Sequence, residues 1–283
     1  MKTHAFVTSF LALAASPTLA GGHAVVSGYA LADDGATLVV MSDIGTPDKV
    51  MTHSLKAPLK AIAWRPVTGE LVGFSDGMIA RINPMSGEMI NLEAMFMDDT
   101  MIGDGKMVAF DFNNMIDAVR AVTSAGENLV YFPEGFGDND ERAGSVRRFT
   151  DLAYVEGDAM VDATPMIFAN AYTNAINDMK AGDTFQYALD AETDALVSLA
   201  NNAGTLETIA RITIDGEPVD LAPMGGFDIV SATEGENIGL AILQMEGAAS
   251  AGLYSIDLQT GAATMKADLG MGGITGFAAS LGM

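Results

Sequence analysis

The side chains able to do chemistry in this 283-residue chain are 37 acids, three histidines and 19 methionines, with no cysteine. Lack of Cys excludes thiolate catalysis, disulfides, zinc fingers and iron–sulfur clusters. The histidines are His4, His23 and His53, so an imidazole base in the body of the chain is restricted to His53. Gly73-Phe74-Ser75-Asp76-Gly77 has the spacing of a nucleophile elbow. That motif needs a strand-to-helix turn and a later His, whereas here a strand pattern follows and every His precedes Ser75, so the match is accidental. Acids lie close together at Asp33-Asp34, Asp98-Asp99, Asp138 with Asp140, and Glu234 with Glu236. Glycoside hydrolysis needs two carboxyls facing across a cleft, which nearness along the chain does not supply, and solvated loops account for these pairs.

Two patterns are open to metals. In Phe136-Gly137-Asp138-Asn139-Asp140-Glu141, the oxygens of Asp138, Asn139, Asp140 and Glu141 follow a flexible Gly, as suits a hard cation such as calcium, although EF-hand spacing is incomplete. Met85, Met89, Met95, Met97, Met101 and Met107 bring soft thioethers suited to Cu(I) into one segment. Methionine is also an adaptable core filler, so copper ranks below calcium.

Lys and Arg total 14 against the 37 acids, a net charge of −23. Such a surface argues against nucleic acid, whose phosphates are bound by clustered cations. The 49% of hydrophobic residues are ample for a packed core. Lys2 and His4 precede an apolar run from Ala5 to Ala15, followed by Ser16-Pro17-Thr18-Leu19-Ala20 and a Gly pair. This is the layout of a secretory leader cut after Ala20, and the run is shorter than the roughly 20 residues that span a bilayer. The expectation is a leader over 1–20, one domain over 21–283, and a free periplasmic or secreted monomer. No membrane insertion is expected, and no Cys is present to carry a lipid.

The elements that must position these side chains read as strands. Ala61–Arg65 and Leu71–Phe74 alternate around Thr68-Gly69, and Met78–Ile82 and Met89–Leu92 do so around Ser86-Gly87. Gly252–Leu258, Thr260-Gly261 and Ala263–Met265 repeat the pattern near the C-terminus. A strand that opens each unit recurs at Trp64, Phe112, Tyr172, Asp228 and Phe277, in steps of 48, 60, 56 and 49 residues. A four-stranded propeller blade takes about 40 to 50 residues, with longer steps holding loop insertions. The last unit stops after one strand, while the N-terminal segment has strands but no opener. Pairing the two predicts an all-β propeller of five blades, with six the nearest alternative count and a β-sandwich the rival architecture.

Several phrases resemble a bacterial family, the domain of unknown function 4394. They include Ala63-Trp64-Arg65-Pro66-Val67-Thr68-Gly69-Glu70-Leu71-Val72-Gly73 and Phe110-Asp111-Phe112-Asn113-Asn114-Met115-Ile116-Asp117-Ala118-Val119-Arg120. Leu152-Ala153-Tyr154, Ala171-Tyr172-Thr173-Asn174, Gly204-Thr205-Leu206 and Gly226-Phe227-Asp228-Ile229 follow in order. The chain departs from the family's usual pattern at Trp64, where Asp is common, and at Asn114, where Pro is. The resemblance implies an exported, propeller-like protein and no particular activity.

Polar residues in the openers, namely Arg65, Asp111, Asn113, Asn170, Tyr172, Asn174 and Asp228, are the candidates to line a central mouth. Asp and Asn at strand ends also serve turn backbones. The expected role is a non-enzymatic module binding a small molecule, polysaccharide or protein. The alternatives are a carboxylate- or metal-dependent hydrolase in that mouth and a periplasmic calcium- or copper-binding protein.

Overall fold

The computed structural model describes residues 25–46 and 49–282. The expected leader, His4 and His23 lie outside them. The period-2 alternation is realised as strands, and the one helical segment among the described residues is a 3-10 turn at Asn201–Ala203.

The first blade contains β1 (Val26–Ala32), β2 (Thr37–Met41) and β3 (Val50–Ser54). The second contains β4 (Ala61–Arg65), β5 (Glu70–Ser75), β6 (Met78–Ile82) and β7 (Met89–Asn91). The third has β8 (Met95–Phe96), β9 (Val108–Asn113), β10 (Ala118–Thr123), β11 (Asn128–Phe132) and β12 (Ser145–Arg148). The fourth has β13 (Ala153–Tyr154), β14 (Ile167–Tyr172), β15 (Gln186–Asp190), β16 (Ala195–Ala200) and β17 (Thr205–Arg211). The fifth has β18 (Thr213–Ile214), β19 (Glu217–Pro218), β20 (Leu221–Ser231), β21 (Asn237–Met245), β22 (Ala251–Ile256) and β23 (Ala262–Asp268). The last strand, β24 (Gly276–Leu281), returns to the first blade, giving the order β24-β1-β2-β3.

In each sheet the opening strand is innermost, and β24, β4, β9, β14 and β20 neighbour one another around a closed circuit. The radial arrangement and the count of five are therefore as the spacing predicts. Closure is antiparallel, with Ala30 of β1 opposite Phe277 of β24 on one side and Val39 of β2 on the other. This pairing removes two sheet edges that would otherwise template aggregation.

Most of the core lies between blades, because each blade buries both faces. Phe74, Phe110, Phe112 and Val119 fill the second–third seam, and Phe168, Leu196, Phe227 and Ile229 the fourth–fifth. Trp64 lies parallel to Tyr29 with ring centroids 5.5 Å apart, so the aromatic side chain seals the first–second seam. Near the axis, Gly226 permits β20 to approach β24. A Cβ there would stand 2.4 Å from the Phe277 nitrogen. The space remaining on the axis is about 10 Å³, lined by inner-strand residues including Ile62, Phe110, Asn170, Gly226 and Phe277. That is room for about one water, so the ring is a packed body and not a pore. No helix of the described residues is long and apolar enough to cross a membrane.

Candidate functional site

The polar candidates lie on the inner strands or just beyond them, where nearly all are enclosed, and of the seven Asn170 lines the axial space. Asp111, Asn113, Asn170, Tyr172, Asn174 and Asp228 are buried, and Arg65 is half-buried. Asp111 Oδ2 accepts the backbone N–H of Tyr172 at 2.6 Å, and Asp228 Oδ2 accepts that of Ala279 at 2.6 Å. Each carboxylate thus caps a backbone donor on the next inner strand, a donor with no sheet partner of its own. Burial pushes both carboxyls up, Asp228 to about 7, and repulsion from Asp228 raises Asp111 further.

Tyr172 accepts Arg120 Nε at 3.0 Å and donates to Asn201 Oδ1 at 2.7 Å. Arg120 also donates to Asn128 and, at 2.9 Å, to Asn202. This buried network locks the third blade to the fourth. Arg65 locks the second to the third, donating to both oxygens of Asp117 at 2.7 and 2.6 Å. Asn113 Oδ1 accepts the N–H groups of Met115 and Ile116 in its own turn.

The mouth itself is covered. The loop 173–185, between β14 and β15, bonds to each of the other four blades and so spans the end of the axis. Asp178 N donates to Pro66 O at 3.0 Å on the second blade, and Ala181 N to Asn114 O at 3.0 Å on the third. Asn177 Nδ2 donates to Leu281 O at 3.1 Å on the first blade, and Glu234 of the fifth accepts from Gly182 and Asp183. Asn174 begins the loop in the left-handed region (φ 60°), which Asn tolerates. It receives Gly235 N–H on Oδ1 at 2.8 Å, while its own N–H donates to Asn237 Oδ1 at 2.7 Å.

What remains open at this face are clefts between blades. One of about 370 Å³ separates the second and third blades, lined by Arg65, Glu70, Phe112, Tyr131 and Glu134 among others. A larger one of about 540 Å³ separates the fourth and fifth, lined by Tyr187, Asn237, Ser255, Asp257 and Gln259 among others. Phe185, 48% exposed, packs beside Tyr187 with centroids 4.7 Å apart. No Lys or Arg lines the larger cleft.

The segment Asp138–Glu141 forms a turn on the third blade, with Asn139 in the left-handed region (φ 57°). Asp140 is held by Arg142 through Nε at 2.9 Å and Nη2 at 2.7 Å, which lowers its carboxyl to about 2. Glu141 lies 3.7 Å from Arg147, while Asp138 and Asn139 are exposed. Arg142 thus occupies the Asp140 carboxylate. Among the described residues no three His, Asp or Glu side chains converge.

Sequence reasoning missed Arg120, Asn128, Asn201 and Asn202, and it missed the capping role of loop 173–185. Asp117 closes the β9–β10 turn and Arg120 lies within β10, but their partners Arg65 and Tyr172 are on other blades, which no local spacing marks. Nothing local marks Asn201 or Asn202, whose partners Tyr172, Asn128 and Arg120 lie 29, 73 and 82 residues away.

Five radial sheets, ring closure by a shared blade and a capped axial mouth define a five-bladed β-propeller. The chain belongs to the family described as Domain of unknown function (DUF4394), which matches residues 39–278. No curated protein matches the sequence. Among solved structures, a protein of unknown function from Bacteroides caccae is similar at 8% identity and TM-score 0.41, covering 90% of this chain and 98% of that one. One of unknown function from Bacteroides thetaiotaomicron is similar at 12% identity and TM-score 0.48, over 81% and 52% of the two chains. An auxiliary nutrient binding protein from the same species gives 12% and 0.41, over 75% and 55%.

Proposed function

We propose that this protein is an exported, non-catalytic binding module whose ligand sits in the inter-blade clefts beside the capping loop. The observation that carries this reading is the cleft of about 540 Å³ between the fourth and fifth blades. Its size is that of a small-ligand site, and it combines an aromatic wall, Tyr187 backed by Phe185, with amide and hydroxyl groups from Asn237, Ser255 and Gln259. Such a lining suits a neutral ligand with an apolar face and several hydroxyls, such as a saccharide. With Asp257 as its one ionic group, the cleft disfavours anions. Hydrolysis at the axis is not supported, because Asp111 and Asp228 are enclosed and their oxygens serve backbone donors.

A panel of neutral oligosaccharides, assayed by thermal shift and calorimetry, tests the site. Tyr187→Ala and Gln259→Ala are expected to weaken a hit at least tenfold while leaving the fold intact by circular dichroism. A ligand that binds both variants as tightly as the native chain overturns the placement. Export is tested separately by mass spectrometry of the extracytoplasmic fraction, where a mature chain starting at Gly21 is expected.

A further inference from the structure

Three of the five blades have their outer edge covered. The short strands β8, β13 and β18 each run parallel to the outermost strand of the blade they lead into, β12, β17 and β23 respectively. In the first blade the outermost strand, β3, pairs only with β2 among the described residues. Leu55 N donates to Ala36 O, the residue directly opposite in the β2–β3 register. By the alternation of an antiparallel ladder, Met51 and His53 also turn their backbone groups to β2, and Val50 and Thr52 turn theirs outward. An unpaired row of this kind is a template for a further strand. The second blade's outer strand, β7, is also uncovered among the described residues, but it has three residues and is bordered by Glu88 and Glu93.

Beside this edge lies an apolar pocket of about 160 Å³, between the first blade and the link from β23 to β24. Val50 and Thr52 form one wall with Met41 and Val39, their partners on β2, and Leu269 and Met271 form the other. Roughly 150 Å³ of aliphatic cavity holds a benzene-sized group. Val50, Met51 and Met271 are 45%, 37% and 38% exposed, so the apolar surface continues out to solvent. Residues paired across a ladder point to one face, so a strand added at β3 would aim its residues opposite Val50 and Thr52 over the pocket. The charge at this edge is opposite to that of the molecule as a whole. Lys49 and Lys56 bracket β3, and Lys266 lies on β23 three residues before Leu269. All three are exposed and without an ion pair among the described residues, whereas Lys60, Arg81 and Lys106 are paired.

We propose that the outer edge of the first blade takes an extended, acidic peptide segment of a partner protein by strand addition. One large apolar side chain of that segment sits in the pocket, and Asp or Glu residues on either side of it meet Lys49 and Lys56. Main-chain bonds to Val50 and Thr52 supply affinity, and the pocket supplies the choice of sequence. Lysines beside an edge discourage its pairing with an identical edge, which favours an acidic segment over a second copy of this chain. Screening limits the reach of exposed charges to about 8 Å at physiological salt, so an incoming strand meets the lysines of the edge and not the distant acids. No residue of this pocket lines the inter-blade clefts, so either reading can fail alone.

The test pans the full mature chain against a phage-displayed library of random dodecapeptides, then titrates the selected peptides, synthesised with a dye, by fluorescence anisotropy. The expected selection is of peptides with a Phe, Leu or Ile flanked by Asp or Glu. Thr52→Pro removes one outward N–H, a change that an edge strand tolerates, and should weaken binding at least tenfold with the melting temperature kept. Lys49→Glu combined with Lys56→Glu should weaken it as much and turn the selection toward basic peptides, while Lys180→Glu on the capping loop should leave affinity unchanged. Bound peptide should slow hydrogen exchange at Val50 and Thr52, read by NMR, and leave Met51 and His53, already bonded to β2, as they are. Absence of any peptide enriched over carrier phage overturns the proposal, as does full affinity in either edge variant. If Thr52→Pro does not fold, the lysine variant alone decides. A dimer in sedimentation that Thr52→Pro dissociates would assign the edge to a second copy and overturn the acidic partner.

Discussion

A carboxylate that takes its place in a protein without a cation has to answer to pH, and Asp228 is the clearest case. Its carboxyl titrates near 7 in the folded chain, against about 4 when unfolded. The folded state therefore retains a proton over this interval that the unfolded chain has released. The stability this contributes is fully present below pH 4 and is lost as the pH rises through 7. Chemical denaturation from pH 4 to 8 should show a fall on the order of 4 kcal/mol from this residue. Asp228→Asn should flatten that slope, though it also weakens one of the two backbone contacts at Ile229 and Ala279. An unchanged slope would mean that Asp228 does not govern it. Tyr172→Phe makes a second case, since it strips the hydroxyl between Arg120 and Asn201 within a dry seam. A loss of about 1–3 kcal/mol by denaturant titration is expected, the cost of stranding buried polar partners. Asp111, Tyr172 and Asp228 were legible in the sequence as polar residues on apolar strands. Their direction was not, because whether such a side chain faces an opening or a neighbouring backbone depends on the next blade.

At the level of elements, loop 173–185 shows where local reading stops. β14 ends at Tyr172 and is followed by a loop that runs to the start of β15. Periodicity finds strands because alternation is a property of neighbours. The loop's form is set by acceptors on four other blades, among them Pro66, Asn114 and Leu281, at separations that no window along the chain covers. The hairpins, by contrast, were fully legible. Gly69 and Gly261 adopt positive φ (65° and 68°) in turns closed by bonds to Arg65 and Asp257. Asn174→Ala removes the acceptor of Gly235 N–H and the donor to Asp183, and it forces Ala into the left-handed region. Hydrogen exchange within residues 174–183 should then accelerate about tenfold or more, while β9 and β14 keep their protection. Equal acceleration in those strands would show that the loop belongs to the same cooperative unit as the ring.

For the whole molecule, the repeat of 48 to 60 residues and the lone final strand were sufficient to give the ring, its count and its closure. The spacing could not give the tightness of the centre, which depends on close backbone approach. Gly226→Ala tests it directly, since the added methyl would meet the nitrogen and Cβ of Phe277 at 2.4 and 2.6 Å. A destabilisation of about 3 kcal/mol, the upper end for overpacking, is expected in the melting transition. A neutral substitution would mean that β20 and β24 separate readily. Closure has one more outcome. Because Val26 faces Leu281 across β1 and β24, the two ends of the described chain lie side by side. A short tether could join them, and new termini could be opened at the tip of an outer hairpin such as Thr260-Gly261, so that a circular permutant would have its closing blade covalently continuous and its seam moved to the fifth.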